Sequence, residues 1–434
     1  MTVSTSSVAL DNESQPVLEA ITEHFIRSQD FNGIVASRLA EQEGLSHSNL
    51  IAVLERLLTS EEIVIAFYRF QGNLHVLRLL PPDIQRQREL LRSEPPSQFG
   101  VYPTAKVLAH RIDLAAFADK PFMKRLALGE PQLTPVFFEL SVLEPYYRDP
   151  RYHFYYCDMG GRISIRDEAC RSSDVHDRDK IFLQTFGIAY DGRRNRVVIV
   201  YLRYLADLSP EHQQTWNARA VQGPCEMNSD YERASLYGQW PEHYSAYRAF
   251  LTEIAEINKL SALIGNPLLF RDDFSAGRPA GLHPMLRPTG HGLQEFVHLL
   301  DKMLSENLNR DFFRNDIPLE EELTREDGRV QVVPLGTLTL LRNWLSKHYR
   351  TADDADVSDE ILTPIKTVRG LRQKPAHAID EDKFDILLPG QQDKLLIDVL
   401  QALQKLRLVL MSHPRARDKY QPPDWLDGDK IVMY

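Results

Sequence analysis

The stretch Thr363–Ile379, TPIKTVRGLRQKPAHAI, decides how the chain is read. Its first half has a helical period. Ile361, Leu362, Ile365, Val368 and Leu371 fall on one broad face, and Lys366 and Arg369 lie off it. Gly370 and Pro375 then weaken the helix, because glycine loses the most backbone entropy on ordering and proline has no N–H to donate. Where the helix weakens stands R-Q-K-P-A-H, in which four residues separate Arg372 from His377.

Outward from this stretch, it is the third of four helical segments. Gly292–Asn309 packs Leu293, Phe296, Val297, Leu300 and Leu304, and Leu335–Tyr349 packs Leu338, Leu341, Trp344 and Leu345. Ser358 caps the third segment, which runs through Leu371. Gln391–Met411 carries Leu395, Leu396, Val399, Leu400, Leu403, Leu406 and Leu410. Spacing and short loops suit an up-down bundle over residues 291–413. The tail, 414–434, is polar around Pro422-Pro423 and apolar at its end, and is expected to dock on the body.

The Arg372–His377 string resembles the R-x4–6-H signature of the HEPN superfamily, whose domains are short helical bundles. Many of these are metal-independent ribonucleases of toxin and antiphage-defence systems. The resemblance covers the last third of the chain. It implies a catalytic pair, Arg372 and His377, with no metal and no cofactor. It also implies a homodimer that brings two motifs into one cleft. Lys366, Arg369, Gln373 and Lys374 flank the pair and are the expected RNA-binding residues. Gln373 stands where family members often have Asn.

The chemistry of these residue types agrees. RNA's own 2′-hydroxyl is the nucleophile, histidine titrates near neutrality and moves the proton, and arginine holds the scissile phosphate as its charge grows. Residues i and i+5 on a straight helix lie about 140° apart, so a bend at Pro375 or a second subunit must complete the site. Seven Arg–His pairs in the chain share such spacings. Two of them, Arg342/His348 and Arg407/His413, end other bundle helices and read as helix with a charged C-terminus. The bland alternative at the motif itself is that Lys366, Arg369, Arg372 and Lys374 offset the helix dipole.

At the other end, residues 12–80 read as three helices and a hairpin. The helices are Pro16–Ser28, Asn32–Glu43 with Gly44 as its C-cap, and Asn49–Leu58 capped by Ser46. Strands Glu62–Phe70 and Asn73–Leu79 follow around Gln71-Gly72. The order looks like a winged helix. Its third helix has one basic residue, Arg56, and Asp11–Leu80 holds ten acids against five arginines and no lysine, a net of −5. Sequence-specific DNA binders need Lys and Arg on the phosphates, so a protein partner or dimerisation fits this domain better than DNA.

Between lies a mixed α+β region, 98–263, with strands Thr134–Leu143, Tyr152–Asp158, Lys180–Tyr190 and Arg196–Tyr204. Helices start at Ser209-Pro210-Glu211 and cover Tyr244–Leu263. Tyr146-Tyr147-Arg148 and Arg151-Tyr152 interleave aromatic and basic groups. Such pairs stack on single-stranded bases, but they more often sit in sheets with snorkelling arginines. Residues 264–290, rich in Gly and Pro, read as a linker.

Composition bounds the rest. The chain has 434 residues, 43% apolar and 26% charged, with a net charge of −10, which suits a multidomain α+β protein. No apolar run approaches a membrane span and the first residues lack a signal-peptide pattern, so a cytoplasmic protein without membrane contact is expected. Three cysteines without a C-x-x-C argue against structural zinc. His283, His291 and His298, and Asp380-Glu381-Asp382, are weak metal signals beside their reading as linker and acidic loop. No phosphate loop, dinucleotide fingerprint, H-E-x-x-H or G-x-S-x-G occurs. The expected function is a metal-independent endoribonuclease of toxin or antiphage type, regulated by the N-terminal and central domains. The alternatives are a winged-helix DNA-binding regulator and a non-catalytic interaction protein whose bundle dimerises.

Overall fold

The computed structural model describes residues 13–325, 329–349, 357–373, 381–426 and 428–434. The fold is α+β, with helices predominating and several small sheets, and the chain forms two compact units.

Among the described residues, the first unit comprises 13–142, 149–153 and 162–226. It opens with α1 (Ser14–Arg27), β1 (Ile34–Val35), α2 (Ala36–Glu43) and α3 (His47–Thr59). Gly44 ends α2 at φ +63°, and Ser46 caps α3 by accepting from the Asn49 N–H at 3.3 Å. Next come β2 (Ile63–Phe67), α4 (Ile84–Ser93) and β3 (Phe99–Pro103). The three strands pair antiparallel in the order β1–β3–β2.

Three sequence expectations change here. Tyr68–Phe70, expected at the end of a strand, lie in the helical turn Tyr68–Gln71. Ile34 and Val35 are not helical but pair with Val101 and Gly100. Residues 73–79 form no strand, and the partner of β2 is β3 instead. Gln71 explains the loop: its amide oxygen accepts from the N–H groups of Arg78 and Leu79, and its amide nitrogen donates to the Leu79 carbonyl. A side chain thus meets backbone groups that a ladder would otherwise have to meet.

The unit continues in a six-stranded sheet. β4 (Pro135–Glu139), β8 (Arg196–Tyr201), β7 (Phe182–Asp191), β6 (Gly160–Ile165) and β5 (Tyr152–Cys157) follow in that order, with β9 (Cys225–Met227) against β7. Residues 154–161, the tip of the β5–β6 hairpin, belong to the second unit. The turn between β7 and β8 is held by Asp191, which accepts from the N–H groups of Arg193 and Asn195 at 2.8 Å each. Ser209 stands at the N-cap of the helix Pro210–Asn217, as expected, but its hydroxyl makes no capping bond.

The second unit comprises 143–148, 154–161 and the described residues from 227 to 434. Its longer helices are α5 (Ser229–Tyr237), α6 (Ala246–Ile264), α7 (Gly290–Met303), α8 (Thr337–His348), α9 (Ser358–Gln373) and α10 (Leu388–Met411). One apolar core runs through all but α5. The sequence put α6 in the central region and 264–290 between domains. Here α6 packs most closely on α10, and Leu269, Phe270, Leu282 and His283 of that Gly/Pro-rich stretch are buried. The tail docks. β13 (Ile431–Val432) pairs parallel with β10 (Tyr244–Ser245), and the Tyr434 hydroxyl donates to Asp230 at 2.8 Å.

A hairpin of β11 (Glu320–Thr324) and β12 (Val330–Pro334) stands out from the unit with nearly every residue exposed. Arg310 clamps its base by donating to the Leu335 carbonyl at 2.6 Å and the Leu319 carbonyl at 3.0 Å.

The α6–α10 contact contains a wholly buried ion pair. Arg407 Nε donates to Glu253 Oε2 at 2.8 Å, and both side chains are fully shielded from solvent. One turn along α6, Glu256 accepts from the Tyr420 hydroxyl at 2.9 Å and pairs with Lys259. Removing either partner of a buried pair leaves a desolvated charge. Glu253→Ala and Arg407→Ala are each expected to lower the unfolding free energy by about 3–5 kcal/mol, and the joint replacement Glu253→Leu/Arg407→Met to cost less than either. Urea denaturation at neutral pH checks this, and a double variant as unstable as the singles would contradict it.

Candidate functional site

The Arg372 motif lies at the end of α9, packed on α7 and α10. Ile361, Leu362, Ile365 and Val368 are buried, so the sequence's apolar face is the packing face. That turns Lys366 and Gln373 to solvent and leaves Arg369 and Arg372 half-buried against α7. Lys374 and His377 lie outside the described residues, so the structure describes Arg372 without its proposed histidine.

Arg372 is held at one corner. Its Nη1 donates to Asp301 Oδ2 at 2.6 Å and also to Glu306 Oε1. Asp301 is almost completely buried and takes a second hydrogen bond from the Ser305 hydroxyl. That hydroxyl accepts in turn from Arg369 Nη1 at 3.4 Å, and the Ser305 carbonyl accepts from the Thr337 hydroxyl at 2.8 Å. The Asp301 and Glu306 carboxylates raise the Arg372 pKa further, so the guanidinium is a permanent cation. A guanidinium presents five N–H donors in a rigid fork. The Nε and Nη2 edge of Arg372 has no hydrogen-bond partner among the described residues.

The rival Arg–His pairs are differently placed. Arg407 is the buried partner of Glu253. Arg342 pairs with Asp359 at 2.5 Å, and His348 faces Asp316 at 3.8 Å. In the first unit Arg56, the one arginine or lysine of α3, is drawn to Glu13 and Ser14.

Of the weak metal signals, Asp380 lies outside the described residues. The His291 backbone N–H donates to the Asp382 carboxylate at 2.9 Å, and His283 is buried elsewhere. No group of three or more metal-ligating side chains is present among the described residues. Nor is any described helix long and apolar enough to cross a membrane.

Sequence reasoning missed a cavity of about 290 Å³ in the second unit. Its walls come from the short helix Glu144–Arg148, residues 279–289, the first half of α7 and Gln392 of α10. His283 lines it inside an aromatic cage. The Tyr156 ring stacks on the imidazole at 5.6 Å, and Tyr147 and Phe154 meet it edge-on at 4.8 and 5.7 Å. His283 Nδ1 lies 2.6 Å from the Pro284 carbonyl, which only accepts, so the proton sits on Nδ1 and Nε2 is a lone pair without a partner. Burial pushes the His283 pKa from 6.5 down to about 4 against the pull of that carbonyl, with the Arg278 and Arg148 charges adding to the fall. The Tyr146-Tyr147-Arg148 string and His283 are the sequence signals that fall here.

No family model matches the chain, and no curated protein or solved structure matches it either.

Two outcomes follow from these environments. Arg372→Ala leaves the Asp301 carboxylate buried without its cation and is expected to cost about 1–3 kcal/mol, whereas Glu306→Ala, at a half-exposed site, should cost under about 1 kcal/mol. Thermal unfolding of both variants ranks them. For His283, the unfolded chain binds the proton at higher pH than the folded one. Its contribution to stability is therefore complete above the unfolded pKa of 6.5 and falls as pH drops toward about 4, a loss on the order of 3 kcal/mol. Urea midpoints across that window should fall in the wild type and flatten in His283→Phe.

Proposed function

We propose that the protein is a metal-independent endoribonuclease of the HEPN type, working in toxin or antiphage defence with Arg372 and His377 as its catalytic pair. One observation carries this reading: Arg372 is a half-exposed cation fixed at Nη1 by two carboxylates, with its Nε/Nη2 edge unoccupied by any described group. That edge matches two oxygens of a phosphodiester, and the anchored corner removes most of the side-chain entropy such a contact would otherwise cost. A lysine, being a point charge, would not reproduce it.

In the proposed reaction the 2′-oxygen of RNA attacks the adjacent phosphorus as its proton passes to an imidazole. The bond from phosphorus to the 5′-oxygen breaks, and that oxygen leaves with a proton from an imidazolium. Products are a 2′,3′-cyclic phosphate and a 5′-hydroxyl. Arg372 holds the phosphate throughout, while the exposed Lys366 and Gln373, with Arg369 and Lys374, follow the neighbouring backbone. A single helix spreads residues five apart by about 140°, so a second copy of the chain supplies the complementary pair. The three N-terminal helices with the β1–β3–β2 sheet are, in this reading, a winged helix given over to protein contact. The engaged Arg56 supports that over DNA binding.

Purified full-length protein is expected to cut RNA in EDTA and leave cyclic phosphate ends. Arg372→Ala and His377→Ala should each lower the rate by at least 10²-fold, and Arg372→Lys should recover little of it. Denaturing gels with end-group analysis provide the measurement. Equal cleavage by wild type and His377→Ala would remove the motif from the site, and full biological activity of the double alanine variant would favour a non-catalytic bundle.

A further inference from the structure

The second-unit cavity is a separate site from Arg372. Gly292, Glu295, Phe296 and Leu299 of α7 line it, at the i, i+3, i+4 and i+7 spacing of one helix face. Asp301, which anchors Arg372, is about half a turn away on the opposite face. The cavity therefore calls for its own occupant.

Four features define that occupant. The first is size. The volume of about 290 Å³ equals roughly ten waters at liquid density, which suits a fused bicyclic ring and not a peptide. The second is charge. Arg287 pairs with Glu144 at 2.8 Å and Arg148 with Glu295 at 2.6 Å, while Arg148 and Glu144 approach to 3.9 Å. The lining thus alternates two cations and two anions with no net charge to hold a phosphate, and its carboxylates can accept from sugar hydroxyls.

The third is polarity inside. The Tyr147 side chain lines the cavity, and its hydroxyl makes no hydrogen bond to a described residue, so it can donate or accept. The fourth is the apolar wall of Met285, Leu286, Phe296 and Leu299. Gly281 makes room for the phenol, since a Cβ there would come 3.1 Å from the Tyr147 oxygen and 3.3 Å from Leu299.

We propose that this cavity binds a purine nucleoside, with the base between the apolar wall and Tyr147 and the ribose at the mouth of alternating Arg and Glu. The base offers ring nitrogens that accept from the Tyr147 hydroxyl and N–H groups that donate to it. The missing net charge selects nucleoside over nucleotide.

Calorimetric titration of the full-length protein with adenosine, guanosine, uridine and AMP tests the proposal. At least one purine nucleoside should bind one-to-one, and at least tenfold more tightly than uridine or AMP. Tyr147→Phe should weaken that binding at least fivefold, and Leu299→Trp, which fills the cavity, at least tenfold, both with circular dichroism like wild type. Gly281→Val is the substitute should Leu299→Trp misfold. No binding of either purine nucleoside, tighter binding of AMP, or equal affinity in Tyr147→Phe would overturn it.

Discussion

The second unit depends on one buried contact, the Glu253–Arg407 pair between α6 and α10. A carboxylate and a guanidinium that both lose all solvent carry a desolvation cost that their attraction offsets only in close geometry. Leucines would fill the same space more cheaply, but they would also tolerate sliding. A charge pair fixes the register of two long helices, because a shift of one residue would turn each charge into hydrocarbon. The neighbouring Glu256–Tyr420 bond extends this polar line, and so links the tail to the same register.

With α6 and α10 fixed, α7 becomes a partition. One face borders the cavity and the other carries Asp301, with Ser305 just past the helix end, beneath Arg369 and Arg372. Asp301 is useful because it is buried. A shielded carboxylate has one position, so the guanidinium it holds has nearly one position too. Glu306, half exposed, adds charge but less order. The proposed phosphate contact rests on this division between a rigid corner and an edge that no described group engages.

Much of the fold could be read from local pattern. The amphipathic periods of α7 to α10 locate each helix, and the buried sides of α9 and α10 are those the leucine and isoleucine spacing picks out. What could not be read is non-local. Ile34–Val35 looks helical beside Leu39, yet becomes a strand because Val101 and Gly100 stand opposite. Residues 73–79 alternate like a strand, yet Gln71 takes up their backbone groups. Arg372 reads as a free cation until Asp301 and Glu306 arrive from about seventy residues upstream. The Gly/Pro-rich stretch 264–290 shows a related error. Such composition signals irregular backbone and not exposure, and this irregular backbone builds the wall of the cavity and buries His283.

The projecting hairpin has a further consequence. Each strand of a two-stranded ladder has an outer edge of N–H and C=O groups that another chain can pair with. Val330, Val332 and Leu323 are exposed on it, which makes the β12 edge an attractive template. On β11, Glu320, Glu321 and Glu322 stand in a row, and two copies meeting along that edge would bring six carboxylates together. The acidic run thus opposes pairing along the β11 edge and leaves the β12 edge the more receptive of the two.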